Sequence, residues 1–467
     1  MTTYELPPAF LHELGAEFPS DFLSTDPADL ETYGRDWTRV FTPAPSGVAR
    51  PRSTDEVQRL LAACQRHQVA VVPSGGRTGL AGGAVATQGE LVLSLERLRA
   101  IGSIDRAGQT LIVEAGAVTQ AVHEHCAGAG LTWPIDLAAK GSCQIGGNVA
   151  TNAGGVRVIR YGHTRHWVLG LEVVTARGEL LRLNGALEKN NTGIDLRQLF
   201  IGSEGTLGVV TEVTLKLARL PERAEVLLFA VADMQKVLAL LELCRKAPFV
   251  IGAFECFSEH CLRRVCDVRK LSRPFPVETP YYVLLEAEPS SPAGLDTWLS
   301  SPDVSELVAG GTLAQDNQQR LRLWQYRESI TESIGASAFP HKNDIALPVR
   351  ALPTFCRELE ALFAERYPDW EICLFGHVGD GNLHVNTLKP PDMAVDDFLR
   401  HARGADDVLF ALVQRHGGSI SAEHGVGLLK KPFLHYSRSP AELAVFRDVK
   451  RALDPTNLLN PGKIFDL

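Results

Sequence analysis

Pro73-Ser-Gly-Gly-Arg-Thr-Gly-Leu-Ala-Gly-Gly83 holds five glycines in eleven residues. It follows an apolar, β-branched run at residues 69–72, and that run follows a helix in which Leu60, Leu61 and Cys64 recur at helical spacing. Ser53-Thr-Asp-Glu56 predicts the start of that helix as a capping box, with the Ser53 and Glu56 side chains each taking the other's backbone N–H. A helix, a strand and then a glycine-dense loop gather backbone N–H groups around an anion such as a pyrophosphate. The loop matches neither G-x-x-x-x-G-K-[ST] nor G-x-G-x-x-G, so it supports neither a P-loop ATPase nor a nicotinamide-binding Rossmann unit.

Two more glycine-rich stretches lie downstream: Gly141-Ser-Cys-Gln-Ile-Gly-Gly-Asn-Val-Ala-Thr-Asn-Ala-Gly-Gly155 and Ile201-Gly-Ser-Glu-Gly-Thr-Leu-Gly208. One such stretch alone reads as an ordinary loop. Three in the first half of the chain argue for backbone wrapped closely around a large cofactor.

A different chemistry sits near the other end, in Phe375-Gly-His-Val-Gly-Asp-Gly-Asn-Leu-His-Val-Asn386 and Ser421-Ala-Glu-His-Gly425. The first stretch predicts a hairpin, because Gly379-Asp-Gly-Asn382 tolerates positive φ between two apolar runs. Strand alternation then puts His384 and Asn386 on one face, with His377 close by across the turn. Two imidazoles and the carboxylate of Glu423 can hold a divalent metal with positions left open for a ligand. His424 is either a further ligand or a neighbouring base. The plainer alternative is a pair of surface histidines beside an unrelated turn.

The 73–83 loop, residues 146–155 and 202–208, and the terminal Asp454-Pro-Thr-Asn-Leu-Leu-Asn-Pro-Gly-Lys463 resemble the vanillyl-alcohol-oxidase type of FAD-binding fold. The set His377, His384, Glu423 and His424 narrows the resemblance to FAD-linked D-2-hydroxyacid dehydrogenases, a branch with D-lactate dehydrogenases, glycolate oxidase subunits and D-2-hydroxyglutarate dehydrogenases. It runs from about Tyr33 to the C-terminus and implies an α+β chain in three stretches. Residues 1–220 form the FAD-binding domain, with strands at 91–95, 111–113, 169–175 and 209–217. Residues 221–425 form an antiparallel-sheet substrate and metal domain. Its elements are strands at 226–231, 250–257 and 282–288, a helix at 234–246, and helical regions at 316–335 and 351–366. Residues 426–467 are a helical C-terminal segment returning to the FAD domain.

The resemblance further implies that Pro73, Ser74, Gly75, Gly76, Arg77, Thr78 and Gly79 cradle the FAD pyrophosphate. Gly146, Gly147, Asn148, Thr151, Asn152 and Ala153 would line the flavin. Glu204, Gly208 and Val210 would approach the adenosine or isoalloxazine side, and Asn460 would close over the ring. Covalent flavin attachment needs a His, Cys or Tyr, which the 73–83 loop lacks, so non-covalent FAD is expected, with His163 as the one exception left open.

Arg327 and Thr331 are four apart in a helical pattern and should share a face. Lys342 precedes an expected strand at 344–348. Arginine offers a two-pronged match to a carboxylate and lysine a compact charge, although the residues alone equally fit solvated surface charges. The resemblance implies substrate binding by Arg327, Thr331, Lys342, Asn386 and His424. The Lys-x-Asp-Ile-x-x-Pro pattern at 342–348 and Tyr33-Gly-Arg-Asp-Trp37 are more similar to the D-2-hydroxyglutarate dehydrogenases than to the lactate or glycolate enzymes. The expected reaction oxidises D-2-hydroxyglutarate, or a similar acid such as D-malate, to the 2-oxoacid. Hydride passes to flavin N5, His424 is the base, and the metal, zinc in the first instance, is held by His377, His384 and Glu423. D-lactate or glycolate is the alternative substrate. The expected electron acceptor is an electron-transfer flavoprotein or a quinone route, and a homodimer is left open.

Composition bounds these readings. The 467 residues leave room for two or three domains, and 45% apolar residues is ordinary for a globular enzyme. A net charge of −8 argues against non-specific nucleic-acid binding. Nine cysteines occur without a C-x-x-C pair, which reads as scattered reduced thiols; Cys256, Cys261 and Cys266 are evenly spaced, but a zinc knuckle or iron–sulfur ligand set needs closer pairing. The first twenty residues lack a basic segment and an apolar core, and no apolar run reaches the roughly 18–20 residues of a bilayer span, so a cytoplasmic enzyme is expected. A metallohydrolase would explain the histidines but leave the glycine loops idle, and an electron-transfer subunit would have no use for the metal and carboxylate-binding residues. A colourless purified protein would support the metallohydrolase.

Overall fold

In the computed structural model, which describes residues 4–221 and 224–467, the helix Thr54–His67 starts where Ser53 predicts. The Ser53 hydroxyl accepts from Glu56 N at 3.2 Å. The reciprocal half of the capping box is absent: the Glu56 carboxylate takes the N–H of Arg52 instead, at 2.7 Å. Val57, Leu60, Leu61 and Cys64 are buried along one side of the helix, each large apolar side chain contributing about 1.5–3 kcal/mol. Two residues of the expected domain boundary, Glu222 and Arg223, lie outside the described residues, as do residues 1–3.

The chain divides into two compact units. The first comprises Met1–Gly154, Gly162–Leu220 and Glu423–Leu467, and the second Gly155–Tyr161 and Pro221–Ala422.

Among the described residues the first unit holds three sheets. In one, the order is β1 (Leu23–Ser24), β2 (Gly47–Ala49), β4 (Leu91–Ser94), β3 (Val71–Ser74), with β2, β4 and β3 parallel and β1 antiparallel at the edge. The helix Thr54–His67 makes the crossover from β2 to β3 that a parallel pair requires. The second sheet is antiparallel in the order β5 (Thr110–Glu114), β9 (Val209–Lys216), β7 (Val168–Val174), β8 (Leu180–Leu183). A short pair joins β6 (Leu131–Thr132) to β10 (Ala218–Arg219). The C-terminal segment is built into this unit. Leu458 O accepts from Val71 N at 2.8 Å, and Asn460 N donates to Val71 O at 2.7 Å. Lys450, nearly fully buried, donates to Thr206 O, Leu459 O and Asp454.

The second unit is organised on one antiparallel sheet of seven strands. Its order is β14 (Val308–Leu313), β11 (Glu225–Val231), β13 (Tyr281–Pro289), β12 (Phe249–Ser258), β16 (Glu371–Gly376), β17 (Asn382–Leu388), β15 (Pro340–Ala346). The helix Met234–Lys246 has the expected bounds, capped by Asp233 accepting from Lys236 N. The region expected to be one helix from 316 to 335 is two, Asn317–Glu328 and Ile330–Ser337, parted at Ser329. Arg327 is buried at the end of the first and Thr331 is exposed at the start of the second, so they do not share a helical face. The expected strand at 344–348 starts earlier, and Lys342 lies within it. The helix Val395–Arg415, 21 residues long, has no counterpart in the sequence reading. It buries Phe398, Ala402, Leu409 and Phe410, and Asp406 on it accepts from Asn343 in β15 at 2.8 Å.

All nine cysteines are buried free thiols. No described helix is long and apolar enough to cross a membrane.

Candidate functional site

The glycine loops of the first unit converge on one cavity. Its wall includes all of Pro73 to Gly79, together with Gly146, Gly147, Asn148, Thr151, Ala153, Glu204, Gly208 and Val210. Two expected residues are not on it. Asn152 turns its side-chain oxygen to Arg165 N at 3.1 Å, at φ +49°. Asn460 does not close over the cavity: it is buried behind the wall, donating to Gly83 O at 2.8 Å and Glu204 O at 2.7 Å. His163 does not line the cavity either. Gln144, Ser203, Glu423 and His424 do, and the sequence reading did not assign them to it.

The wall fits a polar ligand of FAD's kind. Ser74 Oγ and Gln144 Oε1 are buried in it with no hydrogen-bond partner among the described residues, an arrangement that costs about 1–3 kcal/mol per atom unless a ligand supplies one. At Gly147 a Cβ would stand in open space, so its absence widens the cavity next to the backbone.

Tyr33-Gly-Arg-Asp-Trp37 braces the phosphate-type loop from outside. Asp36, 4% exposed, accepts from Gly82 N at 2.9 Å, and Trp37 N donates to Gly79 O at 3.2 Å. The guanidinium of Arg77 lies 4.2 Å from the Tyr33 ring centre, that of Arg50 4.7 Å, and the Tyr33 hydroxyl donates to Glu96 at 2.7 Å. Burial raises the pKa of Asp36, opposed by its hydrogen bonds from Thr38 and Gly82.

Glu204 joins two parts of the cavity wall. Its carboxylate accepts from Val426 N at 2.7 Å and Gly427 N at 2.8 Å. Burial raises its pKa, and the two backbone donors and Lys430 pull the other way. Gly425, which follows His424, has φ +78°, and a Cβ there would lie 2.7 Å from Glu204 Oε1, so this turn takes only glycine without strain.

In the second unit the hairpin forms as the sequence predicts. β16 and β17 pair antiparallel around a turn in which Gly381 has φ +89°. Ladder partners share a sheet face, and so do alternate residues along each strand. Phe375 pairs with His384, which pairs with Asp344; Cys373 pairs with Asn386, which pairs with Lys342. One face of the sheet therefore carries Lys342, Asp344, His384 and Asn386. The rings of His377 and His384 are 5.7 Å apart, centre to centre.

Buried carboxylates back both histidines. His377 Nδ1 is 2.7 Å from Glu255 Oε1, and His384 Nδ1 is 3.4 Å from Asp344 Oδ1. Glu255 and Asp344 are fully buried. A carboxylate behind an imidazole fixes its tautomer and orientation, as is usual for metal-ligating histidines. Asp344 also accepts from Asn382 at 2.7 Å and from Ala422 N at 3.2 Å. Ser419 pairs with Ala346 across an antiparallel bridge, so residues 419–422 run beside β15 and Ala422 is bonded directly to Glu423. Lys342 is exposed on its strand, yet desolvation lowers its pKa. Arg327, which the sequence assigned to substrate, is 2.8 Å from Glu255 Oε2.

Two family models match the chain. Residues 220–464 match the family model of the C-terminal domain of FAD linked oxidases, and residues 45–184 match an FAD binding domain. The chain is 47% identical over 455 residues to a protein of Xanthomonas citri pv. viticola named D-2-hydroxyglutarate dehydrogenase, spanning 96% of this chain and 95% of the relative. It is 43% identical to a protein of the same name from Stutzerimonas stutzeri, over 98% and 99% of the two. A solved structure of alkyldihydroxyacetonephosphate synthase superposes with a TM-score of 0.76 over 99% of this chain and 87% of that one, at 19% identity. That last likeness shows a shared fold alone.

Proposed function

The chain belongs to the FAD-linked oxidases, and within that family we propose that it oxidises D-2-hydroxyglutarate to the 2-oxoacid with FAD and a divalent metal. The observation that carries this reading is the sheet face on which Lys342 stands opposite Asn386 and His384 opposite Asp344. Lys342 stands two residues along from Asp344, the carboxylate behind His384, which supports its reading as a cation for a second carboxylate. The name shared by the relatives from Xanthomonas citri and Stutzerimonas stutzeri supports the same substrate.

Pro73 to Gly79, with Ser74 Oγ and Gln144 Oε1 as polar partners, would hold FAD without a covalent bond. His377, His384 and Glu423 would hold the metal, zinc in the first instance, with two imidazole nitrogens and a carboxylate of the kind that suits it. When bound, FAD supplies the hydride acceptor at N5, and the metal supplies a Lewis acid for the substrate's 2-hydroxyl.

The chain's own residues do the rest. Lys342 pairs with the distal carboxylate, and its placement selects a dicarboxylate over a short acid such as lactate. Asn386 donates its amide N–H to the carboxylate next to the reacting carbon. Thr331 adds a hydroxyl to the same recognition. His424 accepts the proton of the 2-hydroxyl at a ring nitrogen as hydride leaves C2, so one proton and one hydride depart and the carbonyl forms. Electrons then leave through an electron-transfer flavoprotein or a quinone route.

The test is the visible spectrum of protein purified without added cofactor, followed by anaerobic D-2-hydroxyglutarate. A yellow protein that bleaches with this acid, and less with the L-form or D-lactate, meets the expectation. Bleaching by D-lactate alone would discard the substrate. A colourless protein that stays colourless with added FAD would overturn the flavoenzyme.

A further inference from the structure

Glu255 in β12 has a basic group at each carboxylate oxygen. Oε1 is 2.7 Å from His377 Nδ1, and Oε2 is 2.8 Å from Arg327 Nε. Glu255 is 0% exposed and Arg327 7%. The Arg327 guanidinium also lies 5.0 Å from the centre of the Phe375 ring, and that ring is 4.8 Å from the ring of His384. One arginine is thus built into the support of both histidines.

We infer that Glu255 and Arg327 are positioning residues for the metal ligand His377, with Arg327 acting on that ligand through Glu255. This rests on the metal reading above. A carboxylate buried this completely needs a counter-charge, and Arg327 provides it. The charged carboxylate then accepts the Nδ1 proton of His377. That fixes the tautomer in which Nε2 carries the lone pair a metal uses, and it makes that nitrogen a better donor. Phe375 holds the guanidinium from its open side, where a planar cation is favoured over an aromatic face. Arg327 therefore serves the metal even when no substrate is present.

The measurement is zinc affinity without substrate, by competition with a chromogenic chelator, with bound FAD read from absorbance on the same samples. Removing a carboxylate partner of a metal-ligating histidine typically weakens metal binding about 10–100-fold. That loss is expected for Glu255→Gln, which keeps the shape and removes the charge, and for Arg327→Met, each with FAD per chain close to that of the unsubstituted protein. Arg327→Lys, which restores a cation, should recover part of the affinity. If Arg327→Met does not fold, the isosteric Glu255→Gln decides the matter alone. Unchanged zinc affinity in Glu255→Gln would overturn the inference and leave the metal reading standing. An unsubstituted protein that binds no zinc, manganese, iron or cobalt would remove the metal reading, and this inference with it.

Discussion

Glu204 and Val426 are 222 residues apart in the chain and joined by a hydrogen bond of 2.7 Å, from the backbone N–H of Val426 to the Glu204 carboxylate. Gly427 donates to the other oxygen. This pair of bonds fixes the turn that follows Glu423 and His424, the proposed ligand and base. Glu204→Gln replaces one acceptor with a second donor facing a backbone N–H. Turnover should fall about 100-fold, the cost of misplacing a reacting group by an ångström, while FAD remains bound. Steady-state kcat and FAD per chain check this; unchanged turnover would show that the turn holds without the carboxylate.

Lys342 faces Asn386 across the ladder from β15 to β17. Lys342→Met should lower kcat/KM for D-2-hydroxyglutarate at least about tenfold, as expected for a lost charge-assisted hydrogen bond to a carboxylate. D-lactate, with no second carboxylate, should be turned over as before. Equal losses on both acids would place Lys342 on the shared carboxylate instead.

Asp36 reaches the 73–83 loop through Gly82 N. Asp36→Ala leaves that N–H without its acceptor, at about 1–3 kcal/mol, and frees the loop that Arg77 and Gly79 belong to. Melting temperature should drop, and FAD should be lost on desalting more readily than from the unsubstituted protein. A melting temperature that falls with full FAD retention would confine Asp36 to stability.

Glu371, at the start of β16, is tied to Arg263 and Arg264 at 2.9 Å and to His260 at 3.2 Å. Burial pushes its pKa up, but the hydrogen bonds from His260 and Arg264 outweigh this and bring it down to about 2. A carboxylate whose pKa is lower in the folded state stabilises fully above its unfolded value, and that contribution fades as pH falls through the folded value. Glu371→Gln should therefore lose on the order of 3 kcal/mol of unfolding free energy at most at pH 7, measured by denaturant titration. The gap between the two proteins should close between pH 4.5 and pH 2. A gap independent of pH would assign the effect to packing.

Local signals carried the sequence reading well. Glycine spacing located the cavity wall, because close backbone approach demands glycine whatever surrounds it. The β16 to β17 hairpin was legible because its turn residues and its alternation agree. Partners distant in sequence leave no such signal. Glu255 lies in the apolar run of β12 and carries no local mark of its bond to His377, 122 residues on. Asn460 sits in a motif but turns its amide to Gly83 and Glu204, away from the cavity. The break at Ser329 was hidden because Ser329 does not interrupt helical spacing strongly, and the helix Val395–Arg415 was not read even though Asp396 and Asp397 mark its first turn.

The bonds from Val71 to Leu458 and Asn460 have a consequence for biosynthesis. Strand β3 emerges early from the ribosome, but the backbone that pairs with it emerges almost last. At about 5–20 residues per second, translating the rest of the chain takes on the order of 20–80 s. Through that interval the edge of β3 is unpaired, as is the cavity wall that Glu423 and His424 complete. The nascent chain is thus most open to aggregation and proteolysis while its second unit is being made, and a chain cut short before Leu458 lacks the strand partner of Val71 however well its other elements fold.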